Sequence, residues 1–171
     1  MNGGGISMAR MQIRGLSEYT KKLEELESQS KEITGKCLYD GASVVANAVK
    51  SAINQIPTRS PDAIGSEGKT VSGLTAIEKA GLVNSFGITK MRDSSFSQDV
   101  KLGFDGYNMV RTKKFPNGQP NQLIARSIES GTSFLQPCHF MSKAVNASRA
   151  ACLAKMESTC DSEIEKIMGG N

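Results

Sequence analysis

Apolar positions along the chain fall into two long helical registers separated by a polar middle. Leu16, Tyr19, Leu23 and Leu26 recur at spacings of three and four residues. Ser28-Gln29-Ser30 interrupts the face, which resumes with Ile33, Cys37, Val44, Val45, Ala48, Ala52, Ile53 and Ile56. Pro57 ends it, because proline disfavours a helical residue before it. The pattern predicts about 40 residues of helix, roughly 60 Å if straight, with a bend near Ser28–Ser30 or Gly35. A second long helix is predicted over 141–168, ending at Gly169-Gly170. Its inner face reads Ala144, Val145, Ala151, Cys152, Thr159, Cys160, Ile164 and Ile167, small enough to let another backbone approach.

Shorter elements lie around and between these. Residues 8–15 alternate weakly, Met11 and Ile13 against Gln12 and Arg14, and predict an edge strand that Gly15 breaks. Proline, glycine, serine and threonine make 57–73 a loop. Thr75-Ala-Ile-Glu78 is a capping-box sequence opening a short helix through Ile77, Leu82 and Phe86. Strand candidates follow at 87–92 and 99–104. In the second, Val100, Leu102 and Phe104 alternate with Lys101 and Gly103, and 93–98 makes the turn. After a polar stretch over 107–121, residues 122–130 predict a short helix with Gly131 past its end. The expected fold is α+β, a single domain over 1–171. Long N-terminal and C-terminal helices pack on a small antiparallel sheet, with flexible loops near 57–73 and 105–121.

Composition narrows the picture. With no Trp and 5% aromatics, the core must be built from Ile, Leu, Val, Met and Ala. No apolar run approaches the roughly 20 residues that span a bilayer, so no membrane partner is expected. The N-terminus lacks a charged and then apolar leader pattern. Cys37, Cys138, Cys152 and Cys160 show no C-x-x-C spacing, and three of them fall on apolar helical positions. They read as free thiols in a reduced, intracellular chain. The net charge is 21 − 17 = +4, and residues 57–120 hold nine basic against six acidic groups. That excess is too small for a DNA-binding face but allows a local basic patch, densest at Arg111-Thr-Lys113-Lys114.

Candidate chemistry is sparse. His139 is the only histidine, and Cys138 beside it points to the other side of an extended segment, a poor nucleophile–base pair. The cysteines and His139 lack zinc-ligand spacing. Gly65-Ser-Glu-Gly68-Lys69-Thr70 ends like a phosphate loop, but position 63 is Ala and no apolar strand precedes it. Glu129 has no partner carboxylate nearby and reads as a capped, partly buried residue pairing with a neighbour's Arg or Lys. Arg111, Lys113 and Lys114 read either as solvated surface or as a contact for phosphate or an acidic partner. Only Tyr107 and Phe115 flank them, too little for base stacking. The expectation is a non-enzyme with no cofactor, metal or small-molecule substrate.

The order of features resembles the gene-product-10-like tail-component (tail-completion, morphogenesis) family of long-tailed phages. Gln12-Ile-Arg-Gly15-Leu16 matches that family's strand and Gly-Leu helix start, and Ile56-Pro57 its helix end. Gly81-Leu-Val-Asn-Ser85 matches the segment that leads into a hairpin. The strongest match is a Glu-x-Gly-Thr motif followed by Pro, Phe and a long helix: Glu129, Gly131, Thr132, Pro137, Phe140 and Ala144. The chain departs from the family in a longer 58–80 link and in Cys138-His139 between Pro137 and Phe140. The resemblance implies a structural virion protein of the head–tail junction, acting in tail completion, tail termination or head closure. It implies a hexameric ring touching neck and tail-tube proteins, in which the basic loop could face DNA in the channel or an acidic ring above or below. It also implies residence in the virion after assembly in the host cytoplasm. From a different class, the residues also allow a small nucleic-acid-binding protein using 111–114.

Overall fold

The computed structural model describes residues 15–63, 65, 68–94 and 97–169; the strand expected at 8–15 lies, Gly15 apart, outside them. The chain is α+β, and its two long helices take the predicted places. Helix α1 (Leu16–Gln55) is unbroken through Ser28–Ser30. The hydroxyls of Ser28 and Ser30 donate back to the carbonyls of Glu25 and Glu27, which absorbs their polarity along the helix. Ile56 leaves the helix in an extended conformation before Pro57. No basic residue stands in the last turn of α1. Lys79 supplies the missing charge from elsewhere, its ammonium donating to the carbonyls of Asn54 (3.3 Å) and Ile56.

Lys79 lies on α2 (Ala76–Ser85), which begins with the predicted capping box. The Thr75 hydroxyl accepts from the Glu78 amide (3.3 Å), and Glu78 Oε2 accepts from the Thr75 amide (2.8 Å). The expected hairpin is present but interrupted. Strand β1 (Phe86–Ile88) pairs antiparallel with β4 (Leu102–Phe104), and β2 (Arg92–Asp93) with β3 (Gln98–Asp99). Thr89 still donates to Lys101 O (2.8 Å). Between there and the Arg92–Asp99 pair, the first strand advances one residue more than the second. The surplus makes a bulge at Lys90-Met91. The Met91 amide donates to the Tyr39 hydroxyl (2.8 Å), tying the bulge to α1.

Helices α3 (Asn121–Ser130) and α4 (Phe140–Met168) complete the order. Helix α4 runs antiparallel to α1, as four pairings show: Ala144 shares the core cluster with Val49 and Ile53, Met156 meets Gly41, Cys160 meets Cys37, and Met168 meets Lys22. The core gathers at one end. Ile53, Leu74 and Leu82 have no exposure, and Val49, Phe86, Ile128 and Phe140 pack with them. This end, built from residues 42–148, is the body. Beyond it α1 and α4 extend as a helical arm, with the β2–β3 end of the hairpin laid against α1 at Lys31, Gly35 and Tyr39.

The arm corrects two expectations. First, Cys37 and Cys160 are disulfide-bonded, with Cα atoms 5.9 Å apart, while Cys138 and Cys152 are free. The positions read as small buried hydrophobes face each other across the helix pair, which one sequence register could not reveal. Second, the apolar faces are not all buried. Leu16, Tyr19 and Leu23 are exposed, and on α4 so are Val145, Ala151 and Ile164. The inner line on α4 steps instead through buried Phe140, Ala144 and Ser148 and then half-buried Cys152, Met156 and Cys160. The helical partner stops at Met168, opposite Lys22, whose ammonium donates to the Met168 carbonyl (2.9 Å). Leu16 and Tyr19 lie past that point.

Candidate functional site

The six residues of the 129–144 motif come together at one joint, where α3 hands over to α4. Gly131 ends α3 with φ +76°, a left-handed value that side chains other than glycine rarely adopt. A Cβ there would also stand 2.9 Å from Pro137 Cδ. Thr132 and Leu135 exchange backbone hydrogen bonds (2.9 and 3.3 Å), and the Thr132 hydroxyl accepts from the amides of Phe134 (3.2 Å) and Leu135 (3.1 Å). Pro137 then turns the chain back. The Cys138 amide donates to Ile128 O (2.8 Å), and the His139 amide to Glu129 O (3.2 Å).

Glu129 closes the joint. His139 stands at the cap position of α4 with φ +52° and caps nothing with its side chain. Glu129 reaches over from α3 in its place. Its Oε2 accepts from the Met141 amide (2.9 Å), and its Oε1 from the Ser142 amide (3.1 Å) and the Ser142 hydroxyl. A carboxylate on the first-turn amides of a 29-residue helix is in the most favourable place the helix dipole offers. Partial burial pushes the Glu129 carboxyl up, but these hydrogen bonds and the nearby His139 outweigh it and hold it below the usual range. Glu129 therefore holds a helix N-terminus of its own chain rather than an Arg or Lys. Phe140 begins α4 buried, edge-on to Phe104 at 6.5 Å, and Ala144 is buried one turn later. No member of the motif faces another with catalytic geometry.

Arg111, Lys113 and Lys114 lie elsewhere. Their stretch, read from composition as a loop, folds back on itself. The Asn108 amide donates to Gln119 O (2.7 Å), the Gln119 amide to Val110 O (2.9 Å), and Thr112 and Phe115 exchange both backbone bonds (3.2 and 3.0 Å). Lys113 and Lys114 are therefore the two central residues of a tight turn at the tip of a hairpin. The Lys114 ammonium lies 5.8 Å from the Phe115 ring centroid. All three basic side chains are exposed.

Two residues missed in the sequence fix this hairpin and its surroundings. Asn108 is buried, and its amide group donates to Asn121 Oδ1 (3.2 Å) and, more weakly, to the carbonyls of Ile77 and Glu78 (3.4 Å each). Gly81 makes room for it, since a Cβ there would stand 2.0 Å from the Asn108 nitrogen. Arg59 anchors the 57–73 loop. It donates to the carbonyls of Gly73 and Ala63 (3.2 Å each) and forks onto both oxygens of Glu78 (3.1 and 3.3 Å). Neither residue belongs to a periodic segment, so hydrophobic pattern could not single them out. Residues of the two loops and of the 132–135 turn line an apolar cavity of about 680 Å³ that is open to solvent, with Arg59 among its lining residues.

Comparison with protein-family models, with curated proteins and with solved structures finds no match to this chain.

Proposed function

We propose that this chain is a non-enzymatic structural virion protein of a long-tailed phage, a ring component that completes the tail or joins it to the head. Tail termination and head closure at the same junction are the near alternatives. The observation that carries the reading is the α3–α4 joint. Glu129, Gly131, Thr132, Pro137, Phe140 and Ala144, which bear the family resemblance, each have a mechanical task there, and together they form one latch. A motif used to fix the angle between two helices suits a part that must hold its shape in an assembly. A hairpin tip with three exposed basic side chains suits a surface facing DNA in a channel or an acidic neighbouring ring. Such a protein would assemble in the host cytoplasm and remain in the virion.

The test is mass as a function of concentration, measured alone and with tail-tube and neck proteins produced together. A chain that stays monomeric in both settings overturns the reading. A second reading, favoured by the paired lysines at the hairpin tip, is a small nucleic-acid-binding protein. It requires salt-dependent retention on DNA that disappears when Arg111, Lys113 and Lys114 are replaced together.

A further inference from the structure

We infer that copies of this chain associate head to tail, with Met109 of one copy entering the apolar cavity beside Phe134 of the next. The inference rests on the self-assembly proposed above and gives it a contact.

The cavity calls for an apolar occupant. Its walls are Val71, Ile77, Val110, Phe134 and Leu135, and its volume, about 680 Å³, is in the range of sites that hold whole ligands. The one cation among its described lining residues is already engaged, since every side-chain nitrogen of Arg59 has an acceptor within the chain. Of the other polar side chains described in its lining, Thr75 and Glu78 hold each other and the Thr112 hydroxyl accepts from the Phe115 amide, which leaves Gln119 as the polar side chain open to an otherwise apolar occupant.

The chain also carries the matching knob. Met109 is 85% exposed and Tyr107 72%, more than any other large hydrophobic among the described residues. Both stand on the hairpin that walls the cavity, but on its other side. Val110 and Thr112 line the cavity, whereas Tyr107 and Met109 line a separate cleft. A knob and a socket on opposite sides of one element cannot satisfy each other within one copy. Between copies they join in a single sense, and such a contact repeats until it closes as a ring or runs on as a filament.

Charge selects the same arrangement. Arg111 follows Met109 on the hairpin, and the exposed Asp62 lies between Pro61 and Ala63, which both line the cavity. Head-to-tail docking brings these opposite charges together. Pairing two hairpins face to face would instead oppose two clusters of Arg111, Lys113 and Lys114, a like-charge contact.

The experiment uses the full chain, with mass followed by sedimentation across concentration. Wild type, Met109→Asp and Phe134→Glu are compared, and then the two variants mixed one to one. Met109 is exposed, so its replacement leaves the fold intact. Ile77→Glu, at an exposed helical position on the cavity rim, stands in for Phe134→Glu should that chain melt early. Wild type is expected to associate, and each variant to associate at least tenfold more weakly. The mixture is expected to form dimers and nothing larger, since one intact knob meets one intact cavity and both outer ends are blocked. Variants that associate like wild type overturn this contact and leave the ring reading standing. Monomeric variants whose mixture forms no dimer overturn it as well. A wild type that is monomeric alone also overturns it, and the ring reading is then decided by the measurement with partner tail proteins.

Discussion

The body and the arm of this protein solve the same problem by different means. In the body, Ile53, Leu74 and Leu82 are sealed from water by residues drawn from all four helices and the hairpin. In the arm, no residue of α1 before Ile33 is buried, and none of α4 after Ser148 among the described residues. The arm is held by Cys37–Cys160, by a small buried patch at Ile33, Gly35, Cys37 and Gly41 that Met91 and Met156 cover, and by polar contacts: Lys36 with Glu163 (2.9 Å), Asp40 with Thr159 (2.7 Å) and Lys22 with the Met168 carbonyl. Exposed ion pairs contribute about 0–1 kcal/mol each. A helix can thus persist far from a core because its backbone bonds are its own, but its direction must then be fixed by something covalent or by a partner.

The sharpest way to break the comparison is to cut into each region. Ile53→Ala or Leu82→Ala should cost about 3–5 kcal/mol in urea denaturation, whereas Leu23→Ala in the arm should change stability by about 0.5 kcal/mol or less. Equal effects would mean that the arm shares the core. Next comes the disulfide. Reduction, or Cys160→Ser, should lower global stability by about 2–4 kcal/mol. Hydrogen exchange should then show residues 16–36 and 160–168 opening locally and losing most of their protection, while Ile53 and Leu82 lose only what the fall in global stability requires; equal protection in both regions would erase the distinction between arm and body.

The joint between the two regions gives a smaller effect. Glu129→Ala should cost about 2 kcal/mol, from lost charge-assisted bonds to the first turn of α4. Its pH dependence has a definite sign. The folded carboxyl lies below its ordinary value of 4.5, so its contribution is complete above that value and fades as pH falls through the folded one. The stability gap between wild type and Glu129→Gln should therefore shrink on going from about pH 7 to about pH 3. A constant gap would show that the charge contributes nothing.

How much of this was legible in the sequence depended on periodicity. The bounds of α1, the Thr75–Glu78 capping box and the Gly131 stop all rest on local rules, and all were read correctly. Faces were harder. Leu16 and Tyr19 have the spacing of a buried stripe, yet burial needs a partner and α4 ends opposite Lys22. Val145 and Ile164 likewise lie off the line that α1 happens to cover. At the candidate site, the motif residues were visible but not their geometry. The hydrogen bonds from the first turn of α4 to Glu129 span 12 and 13 residues, beyond any local rule. Arg59 and Asn108 carry no pattern at all, because a polar residue in a loop looks the same whether it is solvated or pinned.

The Cys37–Cys160 bond also changes the connectivity of the molecule. Its partners are 123 residues apart, so the chain between them forms a closed loop that contains α2, the sheet, α3 and every connecting segment. A protease that cuts once at the exposed residues 68–70 would open that loop without releasing a fragment. The cut would be invisible by mass until the bond was reduced, apart from the one water added. Both long helices, each anchored on its own side of the break, would still be one molecule.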